Sequence, residues 1–317
     1  MNSERTILVT GAAGQLGLEL TSKLRDLHGT DNVIATDIRK NLELEVNGPF
    51  ELLDVLDAKK LKDLTAVHNV GCIYHLAAIL SALGEKRIDI TWKLNMDGLL
   101  NVLETARLIG DISVFWPSSI AVFGPDARRQ KTPQDSPLNP TTVYGISKAA
   151  GELWCAYYHR RYGVDARSVR YPGLVSKISE PGGGTTDYAV EIFRTLHKNE
   201  AFVCPLDEGT CLPMMYMSDA VKAAIELMAA KPETIRTRTS YNISATSFTP
   251  GQLTEAIRKH HPKFDIRYAP DHRDDIASSW PDSIDDQAAR NDWNWKADFD
   301  LDALVTEMLR ISVKQSV

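Results

Sequence analysis

The run Gly11-Ala12-Ala13-Gly14-Gln15-Leu16-Gly17 constrains this chain more than any other stretch. It follows the β-branched and apolar residues 6–10, and Leu16, Leu20, Leu24 and Leu27 then recur at helical spacing. The glycines therefore occupy a turn between a strand and a helix. Glycine there permits a tight turn and lets backbone amides at a helix N-terminus approach a pyrophosphate. The spacing Gly-x-x-Gly-x-x-Gly is one residue longer than the usual dinucleotide fingerprint, and alone it also suits a purely structural turn.

The same alternation continues. Residues 33–36, 51–55, 72–76, 112–116 and 166–169 read as further strands, and Leu94, Leu99, Val102, Leu103 and Ala106 mark a helix over about 91–108. A helix from Tyr144 to about Tyr162 stops at Gly163, a natural C-cap. Strands alternating with helices predict an α/β fold, a parallel sheet covered on both faces. After about Pro172 the rhythm weakens. Helices are expected over 187–197 and 219–230, with short segments around 241–244 and 264–268 separated by turns. We divide the chain into residues 1–172, which hold the cofactor, and residues 173–317, mainly a smaller substrate-binding lobe, some segments of which return to the sheet.

With 317 residues, 43% of them hydrophobic, the chain suits one large unit or two domains, and a net charge of −6 argues against a nucleic-acid surface. Cys72, Cys155, Cys204 and Cys211 form no Cys-x-x-Cys pair and read as reduced interior thiols of a cytoplasmic protein. His260 and His261 are adjacent rather than a turn apart, so no metal site is expected. No apolar stretch is long enough to span a bilayer, and a first strand near Thr6 leaves no room for a targeting segment.

Asp37 closes the second strand, twenty residues after Gly17. An acid there either simply ends the strand or accepts hydrogen bonds from a ribose 2′-hydroxyl while repelling a 2′-phosphate, which favours NAD over NADP. Asp54, after the third strand, is a weaker candidate to meet the adenine. Tyr144 and Lys148 lie four apart, on one helix face. At about 4 Å an ammonium attracts a phenolate by about 4 kcal/mol, an upper bound because burial opposes it. The pair is thus expected to make Tyr144 a proton acceptor near neutral pH. Taken alone, Tyr-x-x-x-Lys also suits an ordinary amphipathic helix.

Gly11, Gly14 and Gly17, Asp37, His75-Leu76-Ala77-Ala78, Ser118-Ser119-Ile120-Ala121-Val122-Phe123-Gly124 and Tyr144-x-x-x-Lys148 occur in an order that resembles the extended short-chain dehydrogenase/reductase superfamily. The resemblance covers nearly the whole chain. It implies a doubly wound parallel sheet (a Rossmann fold) with NAD along its C-terminal edge. Gln15, Leu16, Leu76, Ala77, Ala78, Asn95 and Tyr171 would lie beside the cofactor with the glycines. Ser119 would hydrogen-bond the reacting oxygen, Tyr144 would exchange its proton, and Lys148 would hold the ribose and tune Tyr144. Dimerisation through paired helices is also implied, with the helix of residues 144–162 and its Trp154, Tyr157 and Tyr158 a candidate face.

Two substrate classes compete within that superfamily. Nucleotide-sugar epimerases and dehydratases normally carry an Arg-Asp pair in the second lobe, where a guanidinium clamps a diphosphate. Leu212-Pro213 stands where that pair would be, and no arginine lies between Arg194 and Arg236. Three segments instead resemble the superfamily's L-threonine 3-dehydrogenases: Leu80-Ser81, Pro181-Gly182-Gly183-Gly184-Thr185-Thr186-Asp187-Tyr188, and Trp280-Pro281-Asp282-Ser283-Ile284-Asp285-Asp286. Ala289-Arg290-Asn291-Asp292-Trp293 extends the last, with Asn294 where glycine is more usual. The resemblance implies oxidation of L-threonine at Cβ by NAD, with Ser81, Thr185 and Thr186 on the amino acid's charged groups and Trp280 walling off its methyl. The glycine run would hinge Thr185 over the substrate. An NAD(H)-binding regulator and a serine-oxidising enzyme are the further alternatives.

Overall fold

The computed structural model describes residues 5–310 apart from 179–181, 183 and 199. Its strands are β1 (Thr6–Thr10), β2 (Val33–Asp37), β3 (Phe50–Leu52), β4 (Val70–His75), β5 (Ser113–Ser119), β6 (Asp165–Tyr171), β7 (Gly173–Val175), β8 (Phe202–Cys204), β9 (Leu212–Tyr216), β10 (Tyr241–Asn242), β11 (Thr246–Phe248) and β12 (Ile266–Tyr268). Its helices are α1 (Gln15–His28), α2 (Leu42–Val46), α3 (Ala58–Val67), α4 (Ser81–Gly84), α5 (Ile88–Ile109), α6 (Val143–Tyr162), α7 (Tyr188–His197), α8 (Met217–Ala229), α9 (Pro250–Arg258), α10 (His272–Ser278), α11 (Gln287–Trp293) and α12 (Leu301–Leu309).

Seven strands form one sheet in the order β10-β6-β5-β4-β1-β2-β3, and every pairing in it is parallel. Alternation along β1 shows why both faces are covered. Ile7 and Val9 pack with Leu20 and Leu24 of α1 and Val221 and Leu227 of α8. Leu8 points the other way, to Leu61 of α3, Leu99 and Leu103 of α5 and Cys155 of α6. The expected doubly wound sheet is therefore present.

The second half of the chain is not one contiguous lobe. Tyr241–Asn242 joins β6 as the edge strand of the main sheet, and α8 packs on α1 and β6. The remaining segments build two small sheets, β11-β9-β7 and β12-β8, around a separate core that includes Phe193, Met214, Leu253, Ile257 and Val305. Tyr144, Val122 and Phe123 belong to that same core, so the start of α6 is packed between the two units.

Three local differences from expectation have physical causes. β3 spans Phe50–Leu52 rather than 51–55, because Asp54 turns the chain, its Oδ1 accepting from Leu56 N at 2.9 Å. β5 runs on to Ser119, past Pro117. Beyond Phe115 it pairs only with β6, so the missing proline N–H interrupts no bond to β4. Asn294 caps α11 at φ 60°, the left-handed region that asparagine tolerates best after glycine.

Candidate active site

The glycine turn is built by close approach. Gly11 has φ +69°, and a Cβ there would lie 2.5 Å from Ala77 N; one on Gly17 would lie 2.3 Å from Gly11 O. Ala77 therefore acts by shape against Gly11. Gly14 is the N-cap of α1 and, being glycine, makes no side-chain cap bond to it. Gly14, Gln15, Leu16 and Gly17 line a cleft of about 670 Å³ at the C-terminal edge of the sheet. A fourteen-residue helix that begins on a glycine N-cap at the wall of a cleft fits a dinucleotide pyrophosphate.

Gly11, Leu76, Ala78, Ser81, Ser119, Tyr144, Lys148, Tyr171, Thr185, Thr186 and Trp280 line the same cleft. Residues from both halves of the sequence thus converge. Ser81 and Thr185 are both buried, with their hydroxyls 3.1 Å apart and Thr185 N donating to Ser81 Oγ at 3.3 Å. Trp280 is 4% exposed and packs into the second core. Gly183 of the expected hinge and Pro181 before it lie outside the described residues, while Gly182 and Gly184 line the cleft.

Other expected cofactor residues stand behind the lining. Asn95 clasps Ile79 at both ends of its amide, Oδ1 accepting from Ile79 N at 2.9 Å and Nδ2 donating to Ile79 O at 3.1 Å. The same Nδ2 donates to Ser147 Oγ at 3.2 Å. It fixes the loop after β4 to α6. Asp37 accepts from Ala13 N at 3.1 Å and Arg39 N at 3.0 Å, bracing the glycine turn. A carboxylate has about four acceptor positions, so these bonds leave capacity for a ribose. Asp54 is a turn residue, not a lining one. The Tyr171 hydroxyl donates to Ala220 O at 2.7 Å, so only its ring is offered to the cleft.

The electrostatics of Tyr144 reverse the sequence expectation. Burial pushes its phenol up to about 12, and a hydrogen bond with Ser119 opposes this only in part. Lys148 does not rescue it. The Lys148 ammonium donates to Pro117 O at 2.6 Å, sits 4.5 Å from the Trp116 ring centroid, and lies farther, at 5.5 Å, from the Tyr144 ring. Burial pulls Lys148 itself down to about 7, with Cys155 and Glu152 pulling it back up. Desolvation thus outweighs the helical pairing, and the chain alone does not make a phenolate at neutral pH.

A family model described as the NAD dependent epimerase/dehydratase family matches residues 7–244. The chain belongs to that family. An epimerase/dehydratase of Staphylococcus aureus (strain USA300), described as uncharacterized, is 47% identical over 314 residues, covering 98% of this chain and 97% of that protein. Among solved structures, the holo form of a GalE-like L-threonine dehydrogenase from Cupriavidus necator superposes with a TM-score of 0.94. It is 52% identical and covers 96% of this chain and 98% of that one. L-Threonine dehydrogenase from Phytophthora infestans gives 0.93 and 45%, covering 96% and 97%. A metagenomic L-threonine 3-dehydrogenase described as monomeric gives 0.93 and 43%, with the same coverage.

For a member of this family, further groups stand around the cleft. Arg39, which follows Asp37 closely in the sequence, Ile178 and the buried Asp187 line it, and Asp187 accepts from Gly184 N at 2.9 Å. His75 is buried, with its Nδ1 2.8 Å from Thr10 Oγ1 and its pKa pushed down to about 3 by burial and by Lys148, so it is neutral. Glu152 was legible as the residue four beyond Lys148 on the same helix face, but nothing in the sequence gave it a partner.

Proposed function

We propose that this protein oxidises L-threonine at Cβ to 2-amino-3-oxobutyrate with NAD. One observation carries the reading: Ser81, Thr185, Thr186 and Trp280 share a single cleft with Ser119, Tyr144 and the glycine turn. The similarity to solved L-threonine dehydrogenases supports it. The cations among the described lining residues are Arg39, beside Asp37, and Lys148, beside Tyr144. Leu212 and Pro213 lie in β9, buried and paired with Phe248 and Ser247 of β11. These features disfavour a nucleotide-sugar substrate, whose diphosphate needs a guanidinium clamp.

In this mechanism Tyr144 accepts the proton of the threonine hydroxyl, Ser119 donates a hydrogen bond to the same oxygen, and Cβ gives up a hydride, leaving a ketone. When bound, NAD supplies the acceptor for that hydride and a positive ring of the kind that lowers a neighbouring phenol's pKa. Ser119 positions the oxygen. Ser81 and Thr185 offer paired hydroxyls to the ammonium and carboxylate, and Trp280 fills the space against the methyl, which favours threonine over serine. Asp37 sets the preference for NAD over NADP.

The test is nicotinamide reduction followed with threonine, allo-threonine, serine and UDP-sugars in parallel. Activity with threonine is expected; turnover of a UDP-sugar without threonine activity overturns the reading, and NAD binding with no turnover favours a regulator. We also infer a homodimer. Trp92 of α5 and Ile146, Leu153, Trp154 and Tyr157 of α6 are exposed apolar groups on two helices that pack side by side. Tyr158, by contrast, is buried in the chain's own core.

A further inference from the structure

We propose that Glu152 is a positioning residue of the catalytic centre, one rung of a ladder that aligns Ser119 with Tyr144 and holds Lys148 as an ammonium. The inference rests on reading Tyr144, Lys148 and Ser119 as the reacting set. Tyr144, Lys148 and Glu152 are spaced by four and share one face of α6. Each meets one of three consecutive residues of β5. Lys148 Nζ donates to Pro117 O at 2.6 Å, Ser118 Oγ donates to Glu152 Oε1 at 2.6 Å, and Ser119 lines the cleft with Tyr144, where its hydroxyl opposes the upward push of burial on the phenol.

Glu152 is completely buried, a depth at which a carboxylate needs full pairing. Arg170 supplies it, donating from Nε at 2.9 Å and Nη2 at 2.8 Å to the two carboxylate oxygens. Ser118 and Arg170 are direct cross-strand partners in the β5–β6 register, so both strands grip one helix residue. The outer arm of Arg170 reaches Asn242 Oδ1 at 3.0 Å, and Asn242 Nδ2 donates to Asp285 O at 3.2 Å. The ladder is thereby tied to the segment that carries Trp280.

The charged and titratable groups around Lys148 come from several elements. α6 presents Tyr144, Glu152 and Cys155; β4 presents His75; Arg170 of β6 stands behind Glu152, and Tyr171 lines the same cleft. Of these, Glu152 is the negative charge one turn away, and Arg170 is the positive charge that offsets it.

The experiment labels lysine with ¹⁵N at Nζ, assigns the Lys148 signal by its loss in Lys148→Arg, and titrates the ligand-free protein. Glu152→Gln should lower the Lys148 midpoint by about one pH unit or more. Arg170→Gln should raise it, and the double variant should return it towards the wild-type value. An unmoved midpoint in Glu152→Gln, or shifts of the same sign in both single variants, overturns the proposal. If the charged variants do not fold, Ser118→Ala removes one hydroxyl and no charge. Its kcat should fall about tenfold with NAD affinity unchanged, measured on whichever substrate the wild type turns over. Wild-type kcat in that variant overturns the ladder. The titration needs no substrate, so its failure and the failure of the threonine reading are separate results.

Discussion

Gly14 and Gly17 lie three residues apart in one turn, yet exchanging each for alanine should damage different properties. A Cβ on Gly17 would sit 2.3 Å from Gly11 O, 2.7 Å from Ala12 O and 2.8 Å from Ala12 C. All three are backbone atoms in the turn, with no flexible side chain to yield, so the start of α1 must shift. Overpacking of this kind costs up to about 3 kcal/mol. At about 2–4 °C per kcal/mol for a large domain, Tm should drop by roughly 6–12 °C. A Cβ on Gly14 would meet only Gly11 O, at 3.2 Å, on backbone with φ −80°. That small strain is offset by about 0.4–1 kcal/mol from a stiffer unfolded chain, so Tm should barely move. Gly14 lines the cleft, however, and its alanine methyl would stand where the proposed cofactor's phosphate would reach the α1 amides. Losing one charge-assisted hydrogen bond there costs about 1.5–3 kcal/mol, or roughly a 10–100-fold weaker NAD Kd. Calorimetric titration with NAD and thermal melts of both variants read the two effects. Gly14→Ala with wild-type affinity, or as unstable as Gly17→Ala, would refute the separation of fold from cofactor contact.

Other outcomes follow from the same geometry. Tyr144→Phe should keep NAD affinity within about twofold and lose at least about 10³-fold in kcat for threonine, because the proposed mechanism uses the hydroxyl while the ring only packs; a variant at half activity removes Tyr144 as base. Asp37→Ala should erode discrimination against NADP and, by releasing Ala13 N, also weaken NAD itself; an unchanged cofactor ratio means the acid is not on the ribose. Burial lowers the Lys148 pKa from 10.5 to about 7. Between those values the unfolded chain holds a proton that the folded chain has lost, so Lys148 makes stability rise with pH, and its cost is fully present below about 7. Urea melts at pH 7 and pH 9 should show Lys148→Met losing about 2 kcal/mol of that rise relative to wild type, and parallel pH dependences would refute it. Dilution in sedimentation experiments should dissociate Trp154→Glu before wild type; a wild-type monomer removes the α5–α6 interface.

Much of the sheet was legible because its signals are local. Thr6–Thr10 and the leucines after Gly14 switch period from two to nearly four across the turn, and Gly163 ends α6 in the left-handed region at φ 74°. The second half was less legible. β10 is two residues long, and nothing in Tyr241-Asn242 announces that it will extend a sheet whose neighbouring strand ends at Tyr171. The place of Asn95 was missed for a related reason: a side-chain amide spends itself on whatever backbone folding brings alongside, here Ile79 from sixteen residues back.

By itself the sequence determined the main alternation of strands and helices up to Tyr171, the glycine turn, and the placing of Tyr144 and Lys148 on one helix face, since each depends on residues a few positions apart. Tertiary structure alone decided the state of that pair. Burial raises Tyr144, lowers Lys148 and turns the ammonium towards Pro117, and burial is a property of everything packed around α6. Only the folded chain could set Ser118 and Arg170 opposite one another on Glu152, or bring Ser81, Thr185 and Trp280 to one cleft. Charge and solvation act through space, and the sequence orders residues only along the chain.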